Sequence, residues 1–406
     1  MNNVIVQKYG GTSVGDEEKI KQIAKNICKK FDDGYKPIIV VSAMGSTTDE
    51  LIKMSKKVTF SDKNPDLRER DILLSTGELV SSTLLAISIS SLGKNVISLS
   101  GSQAGILTND IHGSARISDI KINRLKDEIA KNNIIIIAGF QGINSNGDIT
   151  TLGRGGSDTT AVAIAAAIKA DLCEIYTDVE GIYTTDPRIV SNARKLDKIN
   201  YEDMLEMSVL GAKMHPRSIE LASQYKVPIY VCGTFSSKSG TLITGGDNME
   251  NNKKITGIAI DKNVAKISIK KIKDQPGIVA KILEPLSEKS ISVDVIVQNT
   301  PDKGYIDFSF SLSEDDLEFA HEILINEKKL NYDSIVKANG LSKISLVGSG
   351  MQNESGYAST MFKVLGDQQV SIDMITTSEI RITCLINQKD TSVAVNALHS
   401  VFELDK

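Results

Sequence analysis

The stretch Ile134-Ile135-Ile136-Ile137-Ala138-Gly139-Phe140 reads as a buried strand, and a small-residue helix signal runs from Ala161 to Ala167. Between them lies Thr150-Thr151-Leu152-Gly153-Arg154-Gly155-Gly156-Ser157-Asp158-Thr159-Thr160. Three glycines and an arginine therefore sit where a loop enters a helix. The first helical N–H groups have no intrahelical partner, and the helix dipole makes that end positive, so the place suits an anion. Glycine lets backbone approach a ligand and take positive φ. Arg154 adds a planar fork for carboxylate or phosphate. Asp158 repels an anion and has three roles open to it: helix cap, metal ligand, or orienter of a nearby cation. A structural turn capped by Ser157 or Asp158 is the alternative.

The same layout opens the chain. Val4–Tyr9 reads as a strand, Gly10-Gly11-Thr12-Ser13-Val14-Gly15 as a loop, and Glu17–Lys30 as a helix with apolar Ile20, Ile23, Ala24 and Ile27. The string is not a P-loop, which needs G-x-x-x-x-G-K-[ST], nor G-x-G-x-x-G, because Thr12 interrupts it. Lys8 instead precedes the glycines, at the strand end, where it can reach the phosphates that the loop's N–H groups surround. A surface lysine beside a turn is the plainer reading.

Pro37–Val41 is a further strand, followed by the loop Ser42-Ala43-Met44-Gly45-Ser46-Thr47-Thr48-Asp49. Its hydroxyls suit substrate binding or capping of a helix over Asp49–Lys57. A later helix carries Ser75-Thr76-Gly77-Glu78, where Glu78 either meets an ammonium group or faces solvent. Asn95–Leu99 and Asp171–Tyr176 are strands, the second ending in Thr177-Asp178. The loop Gly181–Arg188, with Tyr183, Asp186 and Arg188, has the chemistry of a nucleotide edge. Lys213 lies in a helix-turn context, and Pro228–Val231 reads as the last strand of this half. Strands alternating with helices predict a mainly parallel α/β sandwich, with ligands at the strand ends.

From Gly240 to Lys254 the chain reads as a linker. An internal repeat follows. Asp274-Gln275-Pro276-Gly277 leads through a helix to Ser292-Val293-Asp294-Val295, and Asn353-Glu354-Ser355-Gly356 leads likewise to Ser371-Ile372-Asp373-Met374. Glycine and aspartate are 17 residues apart in both. Each unit is preceded by a matching strand, Lys266–Ile269 and Lys343–Leu346, which predicts a pair of small ferredoxin-like domains.

With 406 residues, 41% hydrophobic and 24% charged, the chain has room for two or three domains. A net charge of −4 gives no electrostatic case for nucleic acid or anionic membrane. No apolar run is read as reaching bilayer length, and no signal peptide follows Met1, so a cytoplasmic protein is expected. Cys28, Cys173, Cys232 and Cys384 form no CxxC pair and read as buried free thiols.

The strings Lys8-Tyr9-Gly10-Gly11-Thr12-Ser13-Val14, Ser42-Ala43-Met44-Gly45, Thr47-Thr48-Asp49, Ser75-Thr76-Gly77-Glu78, Thr151 to Asp158, and Thr177-Asp178 with Tyr183 to Arg188 resemble, in this order, the aspartate kinase family. That family belongs to the amino acid kinase superfamily, and its regulatory ACT domains are similar to the repeat. The resemblance implies a catalytic domain over 1–245, a linker over 246–254, a first, inserted ACT domain of βαββαβ type over 263–339, and a second over 255–262 plus 340–406. It implies transfer of the γ-phosphoryl of ATP, with Mg²⁺ carried by ATP and no protein metal site, to the side-chain carboxylate of L-aspartate. This is the entry to lysine, threonine and methionine synthesis.

By position, Lys8 and Asp158 are the implied catalytic residues. Lys8, Gly10, Gly11 and Ser13 surround the phosphates, and Thr177, Asp178, Tyr183, Asp186, Arg188 and Lys213 form the rest of the ATP site. Arg154, Gly156 and Ser157 hold an aspartate carboxylate, Glu78 takes its ammonium, and Ser42 and Thr48 line the pocket. Lysine and/or threonine are the implied effectors, at Asp274, Gly277, Asp294, Gln298 and Asn299 in the first repeat and Met351, Ser371, Asp373, Thr376 and Glu379 in the second. A homo-oligomer through the ACT domains is implied, with a small subunit initiated at Met249 as a further form. Two departures stand out. One residue, Met214, separates Lys213 from His215 where the family usually has two, and one helical residue is about 100° of rotation. Glu354-Ser355-Gly356 replaces a usual His-Pro-Gly. Another amino acid kinase, or an amino acid sensor that has lost turnover, are the rival readings.

Overall fold

The computed structural model describes residues 3–60, 65–209, 214–245, 255–327, 330–351 and 355–406. Lys213, Met249, Glu354 and the linker 246–254 lie outside them. The chain divides into two compact units, Met1–Ile182 with Lys195–Met249, and Tyr183–Arg194 with Glu250–Lys406.

The first unit begins β1 (Val4–Tyr9), α1 (Glu17–Asp32), β2 (Lys36–Val41), α2 (Thr47–Val58), α3 (Leu67–Ser91) and β3 (Val96–Leu99). It continues β4 (Ile106–Thr108), β5 (Ile117–Ile120), α4 (Asn123–Ala130), β6 (Ile134–Ala138), β7 (Gln141–Ile143), β8 (Ile149–Thr151), α5 (Gly156–Ile168) and β9 (Leu172–Thr177). It closes with β10 (Lys198–Asn200), α6 (Tyr201–Val209), α7 (Pro216–Tyr225), β11 (Ile229–Gly233) and β12 (Thr241–Thr244). The main sheet runs β10-β12-β11-β9-β1-β2-β6-β3. Among these pairs only β11 with β12 is antiparallel. Strands β5-β4-β7-β8 make a second, smaller sheet.

The four isoleucines of β6 are all fully buried, because a parallel strand is covered on both faces. Each stabilises the fold by roughly 1.5–3 kcal/mol. On one face Tyr9, Ile39, Val41, Ile134 and Ile136 meet Ile23 and Ile27 of α1 and Leu85 and Ile89 of α3. Helix α5 packs on β1, β2 and β9. All four cysteines are buried and free. Burial raises the thiols, Cys232 and Cys384 to about 12, so they stay protonated.

Two expectations are corrected here. Thr241–Thr244, read as linker, is a strand: Thr241 and Ile243 are fully buried, Thr241 paired with β11 and Ile243 with both β10 and β11. Its short length hid the alternation. Helix α3, 25 residues long, is long and apolar enough by length and composition to cross a bilayer. Its serines break the sequence into shorter apolar runs. Its buried side carries Asp71, Ser75, Glu78, Ser81 and Ser82, each with protein hydrogen-bond partners, which suits a core helix.

The second unit comprises β13 (Gly257–Lys273), α8 (Ile278–Glu288), β14 (Val293–Gln298), β15 (Tyr305–Leu312), α9 (Leu317–Asn326), β16 (Ser334–Val347), α10 (Tyr357–Asp367), β17 (Ile372–Thr377), β18 (Arg381–Asn387) and α11 (Thr391–Val401). Its sheet order, β14-β15-β13-β16-β18-β17, is two ferredoxin-like sheets sharing the long strands β13 and β16. One core gathers Ile267, Ile269, Ile282, Leu286, Phe308 and Phe310. The other gathers Ile258, Ile344, Leu346, Leu365, Cys384 and Leu398. Register breaks in β13 between Asp261 and Lys266 mark where the strand passes from one core to the other. The segment 183–194, expected within the catalytic span 1–245, belongs to this unit. Val190 is buried in the second core, Ile258 N–H donates to Thr184 O at 2.7 Å, and His399 Nε2 lies 3.0 Å from Thr184 Oγ1.

Candidate active site

Strand β1 delivers Lys8 to the sheet end, and α5 begins opposite it. Lys8 Nζ lies 2.6 Å from Asp158 Oδ1, with both side chains 12% exposed. The cap of α5 is Gly155, at φ 70°, and no side chain caps the helix. Neither Ser157 nor Asp158 is therefore a cap. Of the three arrangements open to Asp158, the one observed is an ion pair with a lysine. Gly156 N–H closes the turn on Gly153 O at 3.0 Å, which leaves the N–H groups of Ser157 and Asp158 without a partner among the described residues.

The two glycine loops are close-packed. A Cβ on Gly11 would stand 2.8 Å from Ala43 O, and Gly45 N–H donates to Gly11 O at 3.0 Å, so the 10–11 loop nests on the 43–45 loop. A Cβ on Gly156 would meet Phe140 Cδ2 at 2.8 Å. Ser13 Oγ pairs with Thr234 Oγ1 at 2.6 Å, and Thr234 N–H donates to Thr177 O at 2.9 Å. Ser13 and Thr177 are thus joined across β1, β9 and β11 through a residue that no local sequence signal marks. Thr177 Oγ1 donates to Asp178 at 3.1 Å.

Glu78 is decided by burial. It is 3% exposed, Oε1 accepts from Ala43 N–H at 3.1 Å, and Oε2 has no hydrogen-bond partner among the described residues. Burial pushes its carboxyl up to about 7. A half-satisfied buried carboxyl calls for a cation or a donor. Ser42 sits on the same loop, where Ser81 Oγ donates to Ser42 O at 2.7 Å. Helix α2 starts at Thr47, two residues before the predicted start, without a side-chain cap, which takes Thr48 into its first turn. Arg154 is exposed, between Gly153 at φ 75° and Gly155. His215 packs so closely on Gly155 that a Cβ there would stand 2.3 Å from the histidine Cβ. Burial lowers its pKa, so the ring is neutral at pH 7. Among the described residues no group of three or more His, Cys, Asp or Glu side chains could hold a metal.

Residues 3–233 match the Amino acid kinase family and residues 344–402 the ACT domain family. An aspartate kinase of Pseudomonas fluorescens is 44% identical over 405 residues, 99% of this chain and 98% of that protein. The chain belongs to the aspartate kinase family. Within that family, the structure of E. coli aspartokinase III in complex with lysine and aspartate (T-state) is similar at 25% identity, TM-score 0.78, covering 98% of this chain and 99% of the other. The aspartokinase III structure with aspartate and ADP (R-state), 24% identical with a TM-score of 0.81 over 98% and 99% of the two chains, shares the fold. Members of the family are phosphotransferases.

Other residues that the family pattern singles out fall in the second unit. Asp186 and Arg188 pair with each other, with Arg188 Nη2 at 2.7 Å, and this holds the Asp186 carboxyl below its ordinary range. Tyr183 lies in the same segment. Gly277 caps α8 at φ 82°, near exposed Asp274. Gln298 ends β14, and Asn299 Oδ1 accepts from Asp307 N–H at 2.7 Å. Met351 is buried in the second core, Thr376 lies in β17, and Ser371 and Glu379 flank that strand. The two repeat aspartates are ion-paired crosswise. Lys266 of the first repeat binds Asp373 of the second at 2.6 Å, and Lys343 of the second binds Asp294 of the first. The matching lysines are visible in the repeat, but their exchange of partners is not.

Proposed function

We propose that the chain transfers the γ-phosphoryl of ATP to the side-chain carboxylate of L-aspartate, forming 4-phospho-L-aspartate, and that lysine and/or threonine act on it through the ACT unit. The observation that carries this reading is the Lys8–Asp158 pair, 2.6 Å long, set between a glycine loop and the N-terminus of α5. An aspartate carboxylate is ionised at neutral pH, so it needs no general base. Asp158, committed to Lys8, acts by aiming a cation. Lys8, beside the loop residues Gly10, Gly11 and Ser13, offsets charge on the transferring phosphoryl, and Thr177 and Asp178 serve the nucleotide. Arg154, Gly156 and Ser157 hold the substrate α-carboxylate. Glu78 takes the α-ammonium through its open oxygen, beside Ser42 and Thr48. Positioning and electrostatics then carry the catalysis.

The donor set fits a Mg²⁺ held by the phosphates rather than a protein cage, since no cluster of carboxylates stands among the described residues and Asp158 is engaged by Lys8. Bound with ATP, the ion supplies positive charge to the phosphate oxygens. At the sheet ends, β14 and β17 expose Ile296, Val297 and Ile375, which supports self-association of this unit.

The test is ATP- and Mg²⁺-dependent hydroxamate formation from L-aspartate, with and without lysine and threonine. Lys8→Ala is expected to cut turnover by about 10²–10³, the size of one lost electrostatic donor. No activity in the wild type would favour an amino acid sensor without turnover. Near-normal turnover in Lys8→Ala would remove Lys8 from the mechanism.

A further inference from the structure

Asp71, in the second turn of α3, is fully buried and faces no lysine or arginine ion-pair partner among the described residues. Its carboxylate instead collects donors from two other segments. Thr151 gives Oγ1–H at 2.5 Å and N–H at 3.1 Å to it, and Gly113 gives N–H at 2.9 Å. His112 Nδ1 lies at 3.0 Å and, facing an acceptor, carries the proton. One buried anion therefore binds α3, the loop between β4 and β5, and the end of β8.

The next residue is clamped from another direction. Arg217 Nη1 donates to Leu152 O at 2.9 Å and its Nη2 to Ala115 O at 2.8 Å, while Ala115 N–H donates to Thr151 O at 2.8 Å. Beyond Leu152 the chain turns on its glycines, with Gly156 N–H closing on Gly153 O at 3.0 Å. Gly153 and Gly155 both have left-handed backbone, and Arg154 between them is exposed. The guanidinium is thus carried on two glycine joints whose fixed base is Thr151–Leu152.

We propose that Asp71 is a positioning residue for the phosphotransfer: by fixing Thr151 it sets where Arg154 can meet the substrate's α-carboxylate. The inference rests on the reading of Arg154 given above. A neutral amide would not serve as well. An ionised carboxylate accepts at every lone pair, whereas Asn would turn an NH₂ group toward donors already in place. Leaving such donors unpaired in a buried site shifts the backbone that carries them.

A double-mutant cycle on the full chain tests this, with KM for L-aspartate, KM for ATP, kcat and the thermal midpoint measured for each variant. Arg154→Ala is expected to raise KM for aspartate 10-fold or more. Asp71→Asn is expected to raise it about 10-fold while leaving KM for ATP within 2-fold. Asp71→Asn added to Arg154→Ala is expected to change KM for aspartate no further, because Asp71 acts through Arg154. Should Asp71→Asn fail to fold, Thr151→Val, which removes only the hydroxyl, is expected to give a smaller rise with the same selectivity for aspartate. An additive double mutant, or equal losses for both substrates, would overturn the inference and make Asp71 a stability residue. An unchanged KM in Arg154→Ala would instead overturn the role given to Arg154.

Discussion

Glu78 shows how a single side chain can be held ready at a cost to the fold. Its carboxyl is pushed from an ordinary 4.5 to about 7 by burial, because one oxygen has only Ala43 N–H and the other no partner among the described residues. The folded value is raised, so the stability it contributes is complete below about pH 4.5 and is lost as pH rises through 7. The span corresponds to roughly 3 kcal/mol at most. Glu78→Gln keeps the shape and cannot ionise. Thermal midpoints of the ligand-free protein are therefore expected to lie closer for the two forms at pH 5 than at pH 8, where the variant is the more stable. If an ammonium group completes the site, the ionised form binds it. KM for aspartate is then expected to fall between pH 6 and pH 8 in the wild type and to be high and flat in Glu78→Gln. A variant no more stable at pH 8 than at pH 5, relative to wild type, would mean that Glu78 is already ionised in the empty protein.

At the scale of elements, the site depends on how tightly a loop can turn into a helix. Gly155 has φ 70° and no room for a methyl group against His215, whereas Gly147, in the turn between β7 and β8, has φ 85° and nothing within 4 Å of where a Cβ would stand. Gly147→Ala carries only the left-handed backbone cost, about 1–2 kcal/mol, and is expected to leave kcat unchanged. Gly155→Ala adds a clash with the imidazole and is expected to lose most activity and more stability, as read by hydroxamate turnover and urea unfolding. Equal effects would mean that α7 yields freely to the loop. This contrast also explains what could be read from the sequence. Lys8, the glycines and Asp158 stand in strand–loop–helix strings, where local pattern determines local geometry. Thr234 and Asp71 reach the site from distant elements, and nothing adjacent to them in the chain announces it; His215 and Arg217 stand in a family string that does not show their contacts. Gly147 and Gly155 likewise look alike as letters. Only the packed neighbour separates them. The strand β12 was hidden for a different reason, since four residues between glycines carry too little alternation to be distinguished from a linker.

At the scale of the whole chain, a repeat has become one sheet by exchanging partners. Each repeat supplies a lysine on its first strand and an aspartate after its first helix, and each lysine binds the other repeat's aspartate. The pairs are unequal. Lys343 is 7% exposed and also lies 3.9 Å from Asp261, while Lys266 is 17% exposed. Asp294 and Asp373 are among the effector candidates, so an effector ammonium arriving at either one competes with a lysine that the chain itself provides. Removing Lys343 leaves Asp294 partly hydrated rather than buried alone, which keeps the loss of stability moderate, because the large penalty for breaking an ion pair applies to a charge stranded away from water. Lys343→Met is therefore expected to lower the thermal midpoint by a few degrees and to make inhibition by lysine or threonine set in at lower concentration, with KM for ATP and aspartate unchanged without effector. Inhibition that becomes weaker, or does not move, would mean that Asp294 serves only to join the two repeats, and that effector recognition rests on the exposed groups at the N-terminus of α8 and the end of β14.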